Sequence, residues 1–164
     1  MYQVMLSLVS PQEITFGIDL VLAILLGFLI GAERESRGKD AGISTHAFVI
    51  GGSMLFTFLS MHVDPASTSR IAAQIVSGIG FLGAGLILKD GASVKNLTTA
   101  ASIWFAGAIG MALGFGYEFV AVVAALASIV IPRIPHLRPR HGHGALEQHL
   151  EPIEEASSRI VNHD

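Results

Sequence analysis

From Ala41 to Ile131 the chain carries only six charged side chains, Asp64, Arg70, Lys89, Asp90, Lys95 and Glu118, and the stretches between them are dominated by apolar and small residues. A water-soluble bundle of buried helices also contains apolar runs, but each helix then needs a polar outer face to meet water. These segments have almost none, and 51% of all residues are hydrophobic against 14% charged. Lipid is therefore the expected solvent. Reading from charge to charge gives five candidate spans: Ile14 to Ala32, Thr45 to Met61, Ile71 to Leu88, Leu97 to Leu113 and Tyr117 to Ile131. A spanning helix needs roughly 17 to 20 apolar residues. The first, third and fourth spans meet that length, and the fifth is short.

The expected fold is all-α, a polytopic membrane bundle of about five transmembrane helices over residues 1–131, followed by a short cytoplasmic tail, 132–164. Orientation is read from the cations. Arg34, Arg37 and Lys39 follow span one, Lys89 and Lys95 follow span three, and Arg133, Arg138 and Arg140 follow span five. These all fall on one side, so the positive-inside rule predicts an outer N-terminus and a cytoplasmic C-terminus. With no cysteine there is no disulfide framework or thiolate chemistry, and a formal charge of -3 argues against a nucleic-acid partner.

Gly78, Gly80 and Gly83 in "SGIGFLGAGLIL" match the dinucleotide fingerprint G-x-G-x-x-G. That motif needs a strand before it and a helix opening at it, whereas here it sits inside an apolar run, so no nucleotide is expected. In lipid, small residues let helix backbones approach closely. The same pattern recurs as Gly27-x-x-x-Gly31 and Gly110-x-x-x-Gly114, and Gly78 and Gly85, seven apart, share a helix face. The expectation is a helix-packing role for Gly27, Gly31, Gly78, Gly80, Gly83, Gly85, Gly110 and Gly114, with Ala tolerated better than Leu.

Three blocks, "GAERESRGKDAGISTHAFV" (31–49), "RIAAQIVSGIGFLGAGLI" (70–87) and "LTTAASIWFAGAIG" (97–110), occur in the order of the signature blocks of the MgtC/SapB family of bacterial inner-membrane proteins, which this chain resembles. The resemblance implies a multi-pass inner-membrane protein linked to magnesium limitation, acid stress or survival inside host cells. It also implies action on other membrane proteins, the ATP synthase or a magnesium transporter among them. Two positions depart from the family pattern: Ser44 stands where Arg often precedes Thr-His, and Asn96 where Gly often precedes Leu-Thr-Thr. Longer members also carry an ACT-like cytoplasmic domain, and only 33 residues follow Ile131 here.

Eight residues are candidates for a functional or ion-linked role. Glu33 and Arg34, with Glu35 beside them, open the first cytoplasmic loop, either as an interfacial collar or as a docking or gating cluster, and Glu33 can pair with Arg37 if the helix continues. Asp19 lies within span one, where a carboxylate is either functional or held by the helix dipole. Arg70 opens span three against the dipole and calls for an acidic partner, for which Asp19 is the leading candidate. Gln74 is expected to hydrogen-bond across a helix interface. Asp90 sits in an Asp-Gly turn between antiparallel spans, and Thr98 and Thr99 start span four as caps or interface donors. The tail histidines, with "RHGHG" among them, read as solvated linker rather than a metal site.

No nucleophile with a positioned base and no catalytic pair of carboxylates is visible, so an enzyme is not expected. Two functions stay open. One is a regulatory protein that binds other membrane proteins, in a bilayer and with a homo-oligomer open. The other is a Mg²⁺ or proton transporter, for which scarce ionisable groups at mid-membrane are a poor start. No cofactor is expected, with Mg²⁺ the one ligand left open and the metal site unknown.

Overall fold

A computed structural model describes residues 10–63, 66–90 and 93–134. The chain divides into two units, Met1–Arg133 and Ile134–Asp164. The tail histidines and Asp64 lie outside the described residues. The first unit is a helical bundle of α1 (Pro11–Ser36), α2 (Ile43–Val63), α3 (Arg70–Leu86), α4 (Leu97–Gly114) and α5 (Glu118–Val130), ending in a 3-10 turn over Ile131–Arg133.

The all-α membrane fold is the one expected, with the helix ends shifted from the expected span ends. α1, α2 and α4 are long and apolar enough to cross a membrane; α3, with 17 residues, is shorter. The second span therefore gains residues at both ends, because Ile43 and Val63 continue the helix past its polar neighbours. The third loses Ile87 and Leu88, because residues 88–90 and 93–95 form an antiparallel hairpin with Leu88 opposite Lys95. Asp90 thus belongs to a short strand, β1 (Leu88–Asp90), paired with β2 (Ser93–Lys95), and Gly91 lies outside the described residues.

Local chemistry sets the helix ends. At the start of α1, Ser10 Oγ accepts from the Glu13 N–H at 3.3 Å and Glu13 Oε2 accepts from the Ser10 N–H at 2.6 Å, a reciprocal capping box followed by Pro11. At its end, Gly38 at φ +64° lets its own N–H reach Glu35 O and the Lys39 N–H reach Arg34 O, the Schellman arrangement that only a residue free to enter the left-handed region makes without strain. Glu35 then turns back to accept from the Ile43 N–H at 2.9 Å, so the end of α1 caps the start of α2.

α2 is the spine of the packing. A Cβ on Gly27 would stand 2.5 Å from Ala47 Cα, and one on Gly31 would collide with Ile43 Cα, both backbone atoms of α2. On α4, a Cβ on Gly110 would collide with Ile50 O, and one on Gly114 would lie 2.7 Å from Met54 O, again the α2 backbone. The two G-x-x-x-G pairs therefore grip the same helix from two sides. Around them the core gathers Ala23, Leu26 and Ile30 of α1, Ile50 and Met54 of α2, Ala106, Ile109 and Leu113 of α4, and Ala121 and Ala125 of α5. A second cluster, Ala72, Ile75 and Ile79 of α3 with Ala41 and Ile103, joins α3 to the rest. Outward-facing Phe28, Phe48, Phe81, Trp104 and Phe119 are at least half exposed, a surface suited to lipid and costly in water.

The glycines of α3 behave differently from the expectation. A Cβ on Gly78, Gly80 or Gly85 would meet nothing within 4 Å, and one on Gly83 would make only ordinary contact with Ala100 O at 3.6 Å. Gly78 instead lines an apolar groove of about 470 Å³ between α2 and α3. The spacing that brings small residues onto one face says nothing about which face meets a neighbour within the chain. Gly107, not singled out by any G-x-x-x-G spacing, is the close approach on this side, with the Ile79 side chain lying where its Cβ would be.

Candidate functional site

At the end of the bundle where α1 finishes and α2 and α4 begin, charged and polar side chains turn inward. Arg34 is 1% exposed. Its Nη2 donates to Thr99 Oγ1 at 2.8 Å, tying the last turn of α1 to the first turn of α4. His46, fully buried on α2, donates from Nδ1 to Gly42 O at 2.9 Å. A carbonyl oxygen only accepts, so the ring proton sits on Nδ1.

Glu33, one residue earlier, faces a different neighbour. Helix α1 does continue through this segment, and Arg37 Nη1 lies 3.4 Å from Glu33 Oε1. Arg133 Nε, from the 3-10 turn after α5, reaches the same oxygen at 3.6 Å. One buried carboxylate thus faces a guanidinium from the end of α1 and another from the turn after α5. Three buried polar atoms here have no partner among the described residues: Glu33 Oε2, Arg34 Nε and His46 Nε2. Since unpaired buried polar groups cost roughly 1–3 kcal/mol each, so many at one place mark a site rather than ordinary packing.

The other candidates are placed as follows. Thr98 is exposed and Thr99 buried, and neither caps α4; the N-cap position falls to Asn96, held at φ +64° with no side-chain capping bond. Gln74 is exposed on α3 and makes no hydrogen bond among the described residues, so the expected bond across an interface is not formed within the chain. Asp90 lies on β1, opposite Ser93. At the far end of the bundle Asp19 is 8% exposed, so burial acts on it first, and Glu118 is the charged group within electrostatic reach. No ion pair joins Asp19 to Arg70, which is exposed; like charges, not opposite ones, are brought together there. For a divalent ion, Asp19 and Glu118 would supply two carboxylates and leave most of the coordination to water; among the described residues no three His, Cys, Asp or Glu gather as a metal site.

One participant, His46, is not singled out from sequence, and its signal is a lone imidazole in the first turn of an apolar span. Glu35 is read from sequence only as part of the loop opening and Arg133 only as a topology cation; their roles as the cap of α2 and the partner of Glu33 depend on tertiary approach that spacing does not encode.

Comparison with known proteins agrees with the blocks that carry these residues. Residues 20–136 match the MgtC family. Protein MgtC of Salmonella typhimurium is 48% identical over 117 residues, 71% of this chain and 50% of the relative. Protein MgtC of Brucella abortus is 45% identical over 118 residues, 71% of this chain and 49% of the relative. The chain thus spans about half the length of these curated relatives. No solved structure matches. Both the matched family and the identity across the bundle lead to one statement: this chain belongs to the MgtC family.

Proposed function

We propose that this protein works in the bacterial inner membrane as a multi-pass regulator linked to magnesium homeostasis and to stress or virulence adaptation, acting by binding other membrane proteins. The ATP synthase and a magnesium transporter are the partners that the family resemblance favours. The observation that carries this reading is the distribution of charge. Ionisable side chains gather at the two ends of the bundle, Asp19 with Glu118 at one and Glu33, Arg34, Arg37 and Arg133 at the other, while the core between them is built from Ala, Ile, Leu and Met. An ion crossing within one chain would meet no ring of carbonyls or carboxylates at mid-depth. A partner meeting the Arg37 and Arg133 end would find exposed cations anchored on a buried carboxylate.

Mg²⁺ or proton transport, within a dimer, is the second reading, favoured by the approach of Glu118 to Asp19. Cation flux into liposomes that hold only the purified protein separates the two: the regulatory reading expects no uptake above empty vesicles, and robust Mg²⁺ uptake overturns it. Orientation has its own test, since the chain lacks cysteine. A cysteine at Ser67 is expected to react with an impermeant thiol reagent from outside and one at Ser93 is not; the opposite pattern inverts the topology.

A further inference from the structure

The groove between α2 and α3 is a gap where side chains are missing. A Cβ on Gly52 of α2 or Gly78 of α3 would meet nothing within 4 Å, and both residues line the space, with Phe48, Phe56 and Leu82 around them. Its place along α3 gives its depth. The α3 residues that line it run from Ile71 to Leu82, so at about 1.5 Å per residue the groove descends roughly 16 Å from the start of the helix. Half of a hydrocarbon core about 30 Å thick is about 15 Å. The groove is therefore one leaflet deep. Two polar groups stand at its upper end. Arg70, the first residue of α3, is exposed and makes no ion pair among the described residues. The helices that α3 packs against, α2 and α4, contain no Asp or Glu, and the carboxylates at this end of the bundle, Glu13, Asp19 and Glu118, stand on α1 and α5. Gln74, one turn below Arg70, lines the groove and makes no hydrogen bond among the described residues. An amide that faces hydrocarbon without a partner is costly.

We propose that this groove holds an acyl chain of one anionic phospholipid, with Arg70 on the phosphate and Gln74 donating to an ester carbonyl below it. The order of features along α3 is the order of groups in such a lipid: a cation at the surface, an amide donor one turn down, then an apolar channel over one leaflet. Charge complementarity selects the headgroup. A net-negative lipid supplies the counter-charge that α2 and α4 do not, whereas a zwitterionic headgroup brings its own cation beside Arg70. A second copy is the poorer occupant. Apposed through the same face about a two-fold axis, it would bring Arg70 toward Arg70 at one depth and offer neither of them a carboxylate. The lipid site goes beyond the regulatory reading and stands whether or not the protein moves cations.

Native mass spectrometry tests this on the intact protein, purified in a neutral maltoside detergent and mixed with equal amounts of dioleoyl phosphatidylglycerol and dioleoyl phosphatidylcholine. The protein is expected to retain one phosphatidylglycerol about five-fold more often than one phosphatidylcholine. Arg70→Gln is expected to bring that ratio near one, and Arg70→Lys to restore most of it. Gly78→Leu puts a side chain into the groove and is expected to lower retention of both lipids about ten-fold, the equivalent of two fewer buried methylenes, with the melting temperature held. Where that variant does not fold, Gly52→Leu fills the same space from α2. Asp64→Asn removes the acidic residue that precedes Arg70 in sequence and is expected to leave or raise the preference. Equal retention of the two lipids overturns the proposal, as does a preference that survives Arg70→Gln or is lost with Asp64→Asn. Retention that is indifferent to a folded groove-filling variant also overturns it. So does a lipid-free dimer that Gly78→Leu dissociates, which assigns the groove to a second copy.

Discussion

Arg34 and Thr99, 65 residues apart in sequence, meet side chain to side chain at 2.8 Å in a buried setting. The bond closes the bundle end, because α1 and α4 otherwise touch α2 far more than each other. A guanidinium in this position is held by one hydroxyl and leaves Nε without a partner, so the hydroxyl matters more than a neutral hydrogen bond would.

Replacing Thr99 with Val keeps the shape and removes the acceptor. We expect a loss of about 1.5–3 kcal/mol, the range for hydrogen bonds to charged groups, with Thr99→Ser close to the parent. Unfolding in mixed micelles by increasing SDS measures both, and a Val variant as stable as the parent would refute the role of the bond.

The glycines divide by what surrounds them. Gly31→Ala and Gly110→Ala force a methyl into the α2 backbone, where nothing flexible can yield, and are expected to cost about 1–3 kcal/mol or more. Gly80→Ala and Gly85→Ala meet open space, so the change is expected to be neutral or to stabilise by up to about 1 kcal/mol through helix propensity. Melting temperatures of the four purified variants check the division, which collapses if the two groups overlap.

Glu33→Gln withdraws the carboxylate from Arg37 and Arg133 together. Arg133 is 65% exposed and its pairing is screened, so Arg133→Gln is expected to cost under about 1 kcal/mol. The Glu33 change is expected to cost more, on the order of 1–3 kcal/mol, because its carboxylate is buried and Arg34 loses nearby negative charge. A double-mutant cycle reads the coupling; equal costs for the two single variants would contradict the asymmetry.

Asp19→Asn removes a negative charge from beside Glu118 rather than from beside a cation. The expected result is unchanged or higher stability, and effects that add to those of Arg70→Gln within about 0.5 kcal/mol. A milder double variant would instead restore the pairing that sequence spacing suggested.

The number and order of helices were readable because charges punctuate the apolar runs, and the rule that lipid-facing helices lack polar faces does not depend on tertiary detail. Helix ends were less readable. Leu88 looked like the last residue of a span, yet it pairs with Lys95 across a hairpin, and hydropathy does not distinguish those states for one leucine. Gly27 and Gly31 were legible as small residues, but the same reasoning promoted Gly78 and Gly85, whose spacing is equally good and whose face is open. Within the site, Glu33 and Arg37 could be paired from a four-residue interval. Arg34 with Thr99, and Glu33 with Arg133, could not, since nothing local to either residue records which distant turn it meets.

Side chains are the deformable part of a protein interior, and α2 has had them removed from two of its contacts. Against Gly27, Gly31 and Gly110 the nearest atoms are α2 main chain, and against Gly114 they are Thr57 Cβ and Met54 O, so at these crossings little can yield and α1, α2 and α4 are held closely together. α3 differs, since it meets α4 through the long side chain of Ile79 and borders α2 across an open groove. Compliance in this bundle is concentrated in that helix: amide exchange should begin in α3 while the Gly27–Ala47 crossing stays protected, and any change of shape should be a tilt of α3 against a static frame.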